Sequence, residues 1–347
     1  MNITTIGLDL AKNVFQVHGV NQQGKAVLRK TLKRADVMTF FAKLLPCLIG
    51  MEACGSAHYW ARKLAELGHT VKLMAPQFVK PYVKTNKSDA RDAEGICEAV
   101  GRPSMRFVPV KNVEQQAMLS LHRARQGFVV ERTAQANQIR GLLSEFGIVI
   151  PKGNRYLEQR LPEILADAQN GLADMTRDLF NRLFNHFREL DRQVKELEEQ
   201  IKAWHRVNAD SQRLQSIPGI GPLTATALIA SIGNASAFEN ARQLAAWLGL
   251  VPRQDSSGGK ERLLGISKRG DVYLRTLLIH GARSVLLRVK SRTDQSEGWL
   301  AQLVKRRNPN IAAVALANKN ARIAWALLAH GREYQPGYVS TRAQAAA

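Results

Sequence analysis

The stretch that decides the fold is ITTIGLDL (residues 3–10), continued by VFQVHGV (14–20) and AVLRKTLK (26–33). Aliphatic and β-branched residues dominate all three segments, and NQQGK (21–25) supplies turn residues before the third. The pattern predicts three strands in an antiparallel meander. Beyond it, helical and strand periodicities alternate: RADVMTFFAKLL (34–45) has helical spacing, CLIGMEA (47–53) is a short apolar strand, and SAHYWARKLAELGH (56–69) is an amphipathic helix. TVKLMAP (70–76) reads as another strand and SDARDAEGICEAVG (88–101) as another helix. An antiparallel meander followed by alternating helix and strand is an α/β domain.

That order suits a ribonuclease-H-like domain, although periodicity alone serves several α/β folds. From about Asn112 to Phe146 the sequence reads as one long helix. In a second, Phe180, Leu183, Phe187, Leu190, Val194, Leu197, Ile201 and Trp204 recur alternately at three and four residues. This heptad seam requires a helical partner, which either the preceding helix or a second chain would supply. After Ser211 come IPGIG (217–221), two helical segments, the polar stretch PRQDSSGGKERLLGISKRGD (252–271) that reads as an exposed loop, and two further helices.

The chain has 347 residues, enough for two or three domains, and carries 50 Lys and Arg against 29 Asp and Glu, a net charge of +21. The excess is uneven. Residues 1–100 have 14 basic and 8 acidic side chains, residues 101–240 have 18 and 15, and residues 241–347 have 18 and 6. A basic last third points to a polyanion, nucleic acid first. Cys47, Cys54 and Cys97 lack both an even count and zinc-site spacing, so they read as buried apolar residues in a reducing compartment. Without a signal peptide or an 18-residue apolar run, the expected setting is the cytoplasm, on the nucleoid, with no membrane partner.

Four acids stand out. Asp9 and Glu52 interrupt the apolar strands GLDLA and IGMEA, where an uncompensated charge is costly. Asp89 and Asp92 lie three apart, so one helical turn puts them on one face. Carboxylates from several elements suit a hard divalent cation, and paired cations stabilise both oxygens in phosphoryl transfer. Taken singly, Asp9 reads equally as a turn residue, Glu52 as a surface charge, and the two helix acids as partners of the macrodipole. The glycines of IPGIG, Gly219 and Gly221, would let backbone amides approach a phosphate, as in a helix-hairpin-helix element; a packed turn is the alternative. Ser256 and Ser257, set among glycines and cations, offer a hydroxyl nucleophile or simply a loop.

Together, GLDLAKN (7–13), MEACG (51–55), APQFVKPYVKTNKSDARDAEGI (75–96), IPGIG and PRQDSSGGKERLLGISKRGD resemble the DEDD-type insertion-sequence transposases of the IS110 family, and PQFVKPYV and SSGGK resemble its IS1111 branch. The resemblance runs from Asn2 to about Gly331. It implies a RuvC-like catalytic domain (1–110), long helices with a coiled coil (111–208), a mostly helical C-terminal transposase domain (209–335) and a flexible tail (336–347). It also implies Mg²⁺ or Mn²⁺ at Asp9, Glu52, Asp89 and Asp92, and a catalytic serine at Ser257, with Ser256 as neighbouring competitor. Family members act as homo-oligomers on donor and target DNA, guided by a noncoding RNA of the bridge type from their own element. Carboxylates of one subunit then face the serine of another in a composite site. Arg253, Lys260, Lys268 and Arg269 are the phosphate-contact candidates beside Ser257. A metal-dependent Holliday-junction-type nuclease, without serine chemistry, is the alternative.

Overall fold

A computed structural model of the chain describes residues 2–84, 88–291 and 298–337. Residues 338–347 of the expected tail, and residues 85–87 within the 75–96 motif, lie outside the described residues. The chain divides into two compact units, residues 1–115 with 232–237, and residues 116–231 with 238–347.

The first unit is built on the expected meander. Strands β1 (Thr5–Leu10), β2 (Val14–Val20) and β3 (Ala26–Lys33) pair antiparallel, and β4 (Leu48–Glu52) and β5 (Thr70–Met74) add in parallel beyond β1. A short β6 (Phe107–Val108), not read from the sequence, closes the edge antiparallel to β5, giving the order β3-β2-β1-β4-β5-β6. Alternation along the strands sorts the faces. Ile6, Leu8, Phe15, Val17, Ile49 and Met51 form one buried cluster with Phe41 of α1 (Val37–Phe41) and Trp60 and Leu64 of α2 (Ala57–Glu66). Each such side chain, fully buried, contributes about 1.5–3 kcal/mol. A single turn, α3 (Pro76–Val79), follows β5, and α4 (Asp89–Val100) covers the opposite face of the sheet.

The second unit is helical. The long helix α5 (Val113–Ser144) begins in the first unit and continues here, followed by α6 (Asn154–Ala166) and α7 (Asp174–Val207). The heptad seam of α7 is covered within the chain. Phe180, Phe184 and Phe187 pack with Ala136, Ile139 and Leu143 of α5 and Leu157 and Leu161 of α6, while Ile201 and Trp204 meet Met118, Leu119 and Leu121. Ion pairs Arg125–Glu198 and Arg132–Asp191 fix α5 and α7 as an antiparallel pair. Burial pulls the Asp191 carboxyl up, but Lys195 and Arg132 outweigh it and hold it below the usual carboxylate range.

Helices α8 (Ala209–Gln215), α9 (Pro222–Ile232) and α10 (Ala241–Trp247) come next. The stretch expected to be a loop instead begins with a β-hairpin, β7 (Pro252–Gln254) and β8 (Leu263–Ile266). Helices α11 (Val272–Ser291), α12 (Trp299–Arg306) and α13 (Pro309–His330) complete the unit, with α13 packed on α10, α11 and α12. Among the described residues, no helix is long and apolar enough to cross a membrane.

Candidate active site

On β1 and β4 the same device appears twice, a glycine followed two residues later by an acid. Side chains two apart share a face of the sheet, here the α4 face. A Cβ on Gly7 would meet the Ala93 carbonyl oxygen at 2.0 Å, and one on Gly50 would meet Val100 Cβ at 2.7 Å. Only glycine lets α4 settle this close. Asp9 and Glu52 then lie on that face where the strands end, and the parallel register pairing Leu8 with Met51 makes them neighbours across β1 and β4.

Helix α4 runs back over the strands. Cys97 hydrogen-bonds through Sγ to the Thr5 carbonyl at 3.7 Å and lies over Gly7, so the first turn of α4 stands over the end of β1. That first turn carries Asp89 and Asp92. Carboxylate oxygens of Asp9, Asp89 and Asp92 all lie within 4.8 Å of one another. Asp9 and Asp92 are half-buried and Asp89 is exposed, so the group opens to solvent. Glu52 does not join this group of three, but ends the neighbouring strand. Cys54, read from the sequence as buried, is half-buried, two residues beyond Glu52. Burial pushes its thiol up, and the charges of Glu52 and Asp9 push it further.

The donor set fits a hard divalent cation. Oxygens on an octahedron of ~2.1 Å radius stand ~3 to ~4 Å apart, close to the separations of up to 4.8 Å among these three carboxylates. The helix macrodipole alone would account for Asp89 and Asp92 at the start of α4, but not for their convergence with an acid from a strand.

The second candidate element is the β7–β8 hairpin. The Lys260 amide donates to the Ser257 carbonyl at 3.0 Å, and Gly258 and Gly259 between them have φ of 56° and 77°. Positive φ at both central residues is a type I′ turn, which glycine adopts without strain. Ser256 and Ser257, weighed together in the sequence, differ here. Ser256 Oγ accepts the Arg262 amide at 3.2 Å, whereas Ser257 supplies its backbone carbonyl to the turn and stands at the exposed tip. Arg253 and Lys260 are exposed on the same hairpin.

Lys268 and Arg269, also exposed, follow β8 in a tight junction. Lys268 has φ of 54° and its amide donates to the Gly249 carbonyl at 3.1 Å. Buried Arg275 donates to the carbonyls of Leu248 and Arg269 at 3.1 and 3.2 Å, tying α10, the junction and α11 together. The junction therefore has a fixed backbone and free-standing cationic side chains.

IPGIG folds as a turn between α8 and α9. The Ile220 amide donates to the Ile217 carbonyl at 2.9 Å, with Pro218 second and Gly219 third at φ of 92°, as a type II turn requires. Gly219 also has a packing reason to be glycine, since a Cβ there would lie 2.9 Å from the Gly281 carbonyl oxygen of α11. Gly221 is exposed with open space around it, just before Pro222 opens α9.

An acid group at the ends of central strands and an exposed serine hairpin are features of enzymes that transfer phosphoryl groups in nucleic acids, and similarity gives the class its name. Residues 6–148 match a family model of DEDD transposases described as "Transposase", and residues 211–296 match one described as "Transposase IS116/IS110/IS902 family". The chain is 56% identical to a probable family 20 transposase of Pseudomonas aeruginosa, over 97% of this chain and 100% of that one. It is 48% identical to the transposase for insertion sequence element IS1111A of Coxiella burnetii, over 97% and 92% respectively. For the transposase of element IS1328 from Yersinia enterocolitica the identity is 42%, over 95% and 98%. The chain belongs to the IS110/IS116/IS902 family of DEDD transposases.

Proposed function

We propose that this protein is the transposase of an insertion sequence, cutting and rejoining DNA with Asp9, Glu52, Asp89 and Asp92 as ligands of divalent metal and Ser257 as nucleophile. The observation that carries the reading is the approach of the Asp9, Asp89 and Asp92 carboxylates to within 4.8 Å of one another, from a strand and a helix. The strand order and the α4 cover support a ribonuclease-H-like or RuvC-like first domain; residues 111–208 and 209–335 are proposed as the helical and transposase domains on the family resemblance. Bound Mg²⁺ or Mn²⁺ would supply charge stabilisation at the scissile phosphate.

Ser257 Oγ attacks phosphorus, the serine–phosphate bond forms as the bond to a deoxyribose oxygen breaks, the serine proton passes to solvent, and the leaving oxygen takes up a proton. Ser256 is less suited, because its hydroxyl already accepts a backbone N–H. The two sites act in a composite arrangement of subunits on donor and target DNA, with sequence choice left to a guide RNA and the protein binding mainly backbone through its cations. Arg253, Lys260, Lys268 and Arg269 make such contacts, Gly221 and its turn add backbone amides, and the protein works on the nucleoid.

The test is a denaturing gel of purified protein incubated with its element's noncoding RNA, Mg²⁺ and DNA carrying the element's ends. Wild type is expected to yield a covalent protein–DNA adduct that Ser257→Ala lacks. Strand cleavage retained by Ser257→Ala, with no adduct in wild type, would make the protein a metal-dependent junction nuclease.

A further inference from the structure

The β7–β8 hairpin has two chemically different faces, and its register sorts them. Gln254 pairs with Leu263, the Asp255 amide donates to the Arg262 carbonyl at 2.9 Å, and Ser257 bridges Lys260. The ladder ends at Gln254–Leu263 and Ser257–Lys260 is an isolated bridge, but equal numbers of residues separate them on the two strands, which keeps Asp255 opposite Arg262 and Ser256 opposite Glu261. Strand alternation assigns Ser257, Lys260, Asp255 and Arg262 to one face and Ser256, Glu261, Gln254 and Leu263 to the other.

We infer that Lys260 and Arg262 are the charge-stabilising partners of Ser257, binding the phosphodiester it attacks and offsetting the charge that builds in the transition state. The inference rests on Ser257 being the nucleophile. Directly opposed residues of an antiparallel pair hold their Cβ atoms about 5 Å apart, and residues two further along stand about 7–8 Å away. Lys260 thus reaches an oxygen of a phosphate attacked by Ser257. Arg262, one step down the same face, reaches a second oxygen with its planar guanidinium. Neither side chain gains or loses a proton in the step; both hold charge while the serine–phosphate bond forms.

The arrangement is rigid where it must be. The Gly258–Gly259 turn fixes the spacing of Ser257 and Lys260, and Ser256 Oγ takes the Arg262 amide, holding the Arg262 backbone to the opposite strand. Every residue from Pro252 to Leu263 is exposed, so DNA has open access to the face. Asp255 lies on it too, directly opposite Arg262 and as far from the tip as Arg262 is. A purely electrostatic tether would need cations anywhere on the hairpin. This hairpin places them on the serine's face and puts Glu261 on the other.

The test is the single-turnover rate of adduct formation on DNA carrying the element's ends, with saturating full-length protein, its RNA and Mg²⁺. Lys260→Ala and Arg262→Ala are each expected to slow adduct formation about 100-fold, the usual loss for one stabilising donor. Lys260→Arg should recover much of the rate, and Glu261→Ala should stay within about threefold of wild type. DNA affinity, measured separately, should fall far less than the rate for both alanine variants. Wild-type adduct that disappears in Ser257→Ala, with unchanged rates in Lys260→Ala and Arg262→Ala, would overturn the inference and leave the nucleophile standing. So would wild-type rates at saturating protein from variants whose DNA affinity is reduced, since the cations would then only tether DNA. No adduct even in wild type would instead overturn the reading of Ser257 itself.

Discussion

Gly281 and Gly219 make contact through bare backbone, and a Cβ on Gly281 would lie 1.8 Å from the Gly219 carbonyl oxygen. Backbone cannot swing aside as a side-chain end does, so Gly281→Ala is expected to lower stability by about 3 kcal/mol through overpacking. Gly127 is the control. It lies inside α5, exposed, and a Cβ there would meet nothing within 4 Å, so Gly127→Ala should raise stability by about 0.5–1 kcal/mol through helix propensity. Urea unfolding of the two variants measures both signs. Equal effects of the two substitutions would remove the packing explanation. The same reasoning explains which acids were legible. Asp9 and Glu52 stood out because charge is rare in apolar strands, but Gly7 and Gly50, which bring α4 down upon them, gave no signal of their own in one sequence.

At the level of elements, α5, α9 and α11 are joined by a buried polar chain. His122, 1% exposed, has Nδ1 3.0 Å from the Tyr273 hydroxyl and Nε2 3.0 Å from the Thr226 hydroxyl. Burial, aided by the Arg125 charge, pushes the His122 imidazole down to about 4. An unfolded histidine titrates near 6.5, so the unfolded chain binds the proton first as pH falls. The neutral His122 therefore contributes fully above about pH 6.5, and its contribution is lost progressively toward pH 4. Stability is expected to fall by about 2 kcal/mol between pH 7.5 and pH 5, and His122→Gln should flatten that dependence. Urea titrations of both proteins at the two pH values check it; parallel losses would contradict it. Strong periodicity made the sheet, α5, α7 and α13 readable. The α7 seam called for either the preceding helix or a second chain, and the fold supplies α5 together with α6. The β7–β8 hairpin was missed for a physical reason: β7 is exposed throughout, β8 is only four residues long with just Leu264 and Ile266 half-buried, and the Gly258–Gly259 pair was its only turn signal.

For the molecule as a whole, the charge of +21 sets the terms of association with DNA. Lys268 and Arg269 project from a junction whose backbone Gly249 and Arg275 fix, so they hold two cations in place before DNA arrives. Each phosphate contact on duplex DNA contributes about 0.9 to the slope of log affinity against log salt. Removing both charges should lower that slope by about 2, and an unchanged slope would exclude phosphate contact there. The central claim is that acids from β1 and α4 act together through a divalent ion. Its most direct measurement is strand cleavage of DNA carrying the element's ends across a Mg²⁺ titration, comparing wild type, Asp9→Asn and Asp92→Asn, each confirmed folded. Mg²⁺-dependent cleavage is expected in wild type, with a loss of about a thousandfold or more in either variant. Cleavage by both variants with wild-type rate and wild-type Mg²⁺ dependence would contradict the claim.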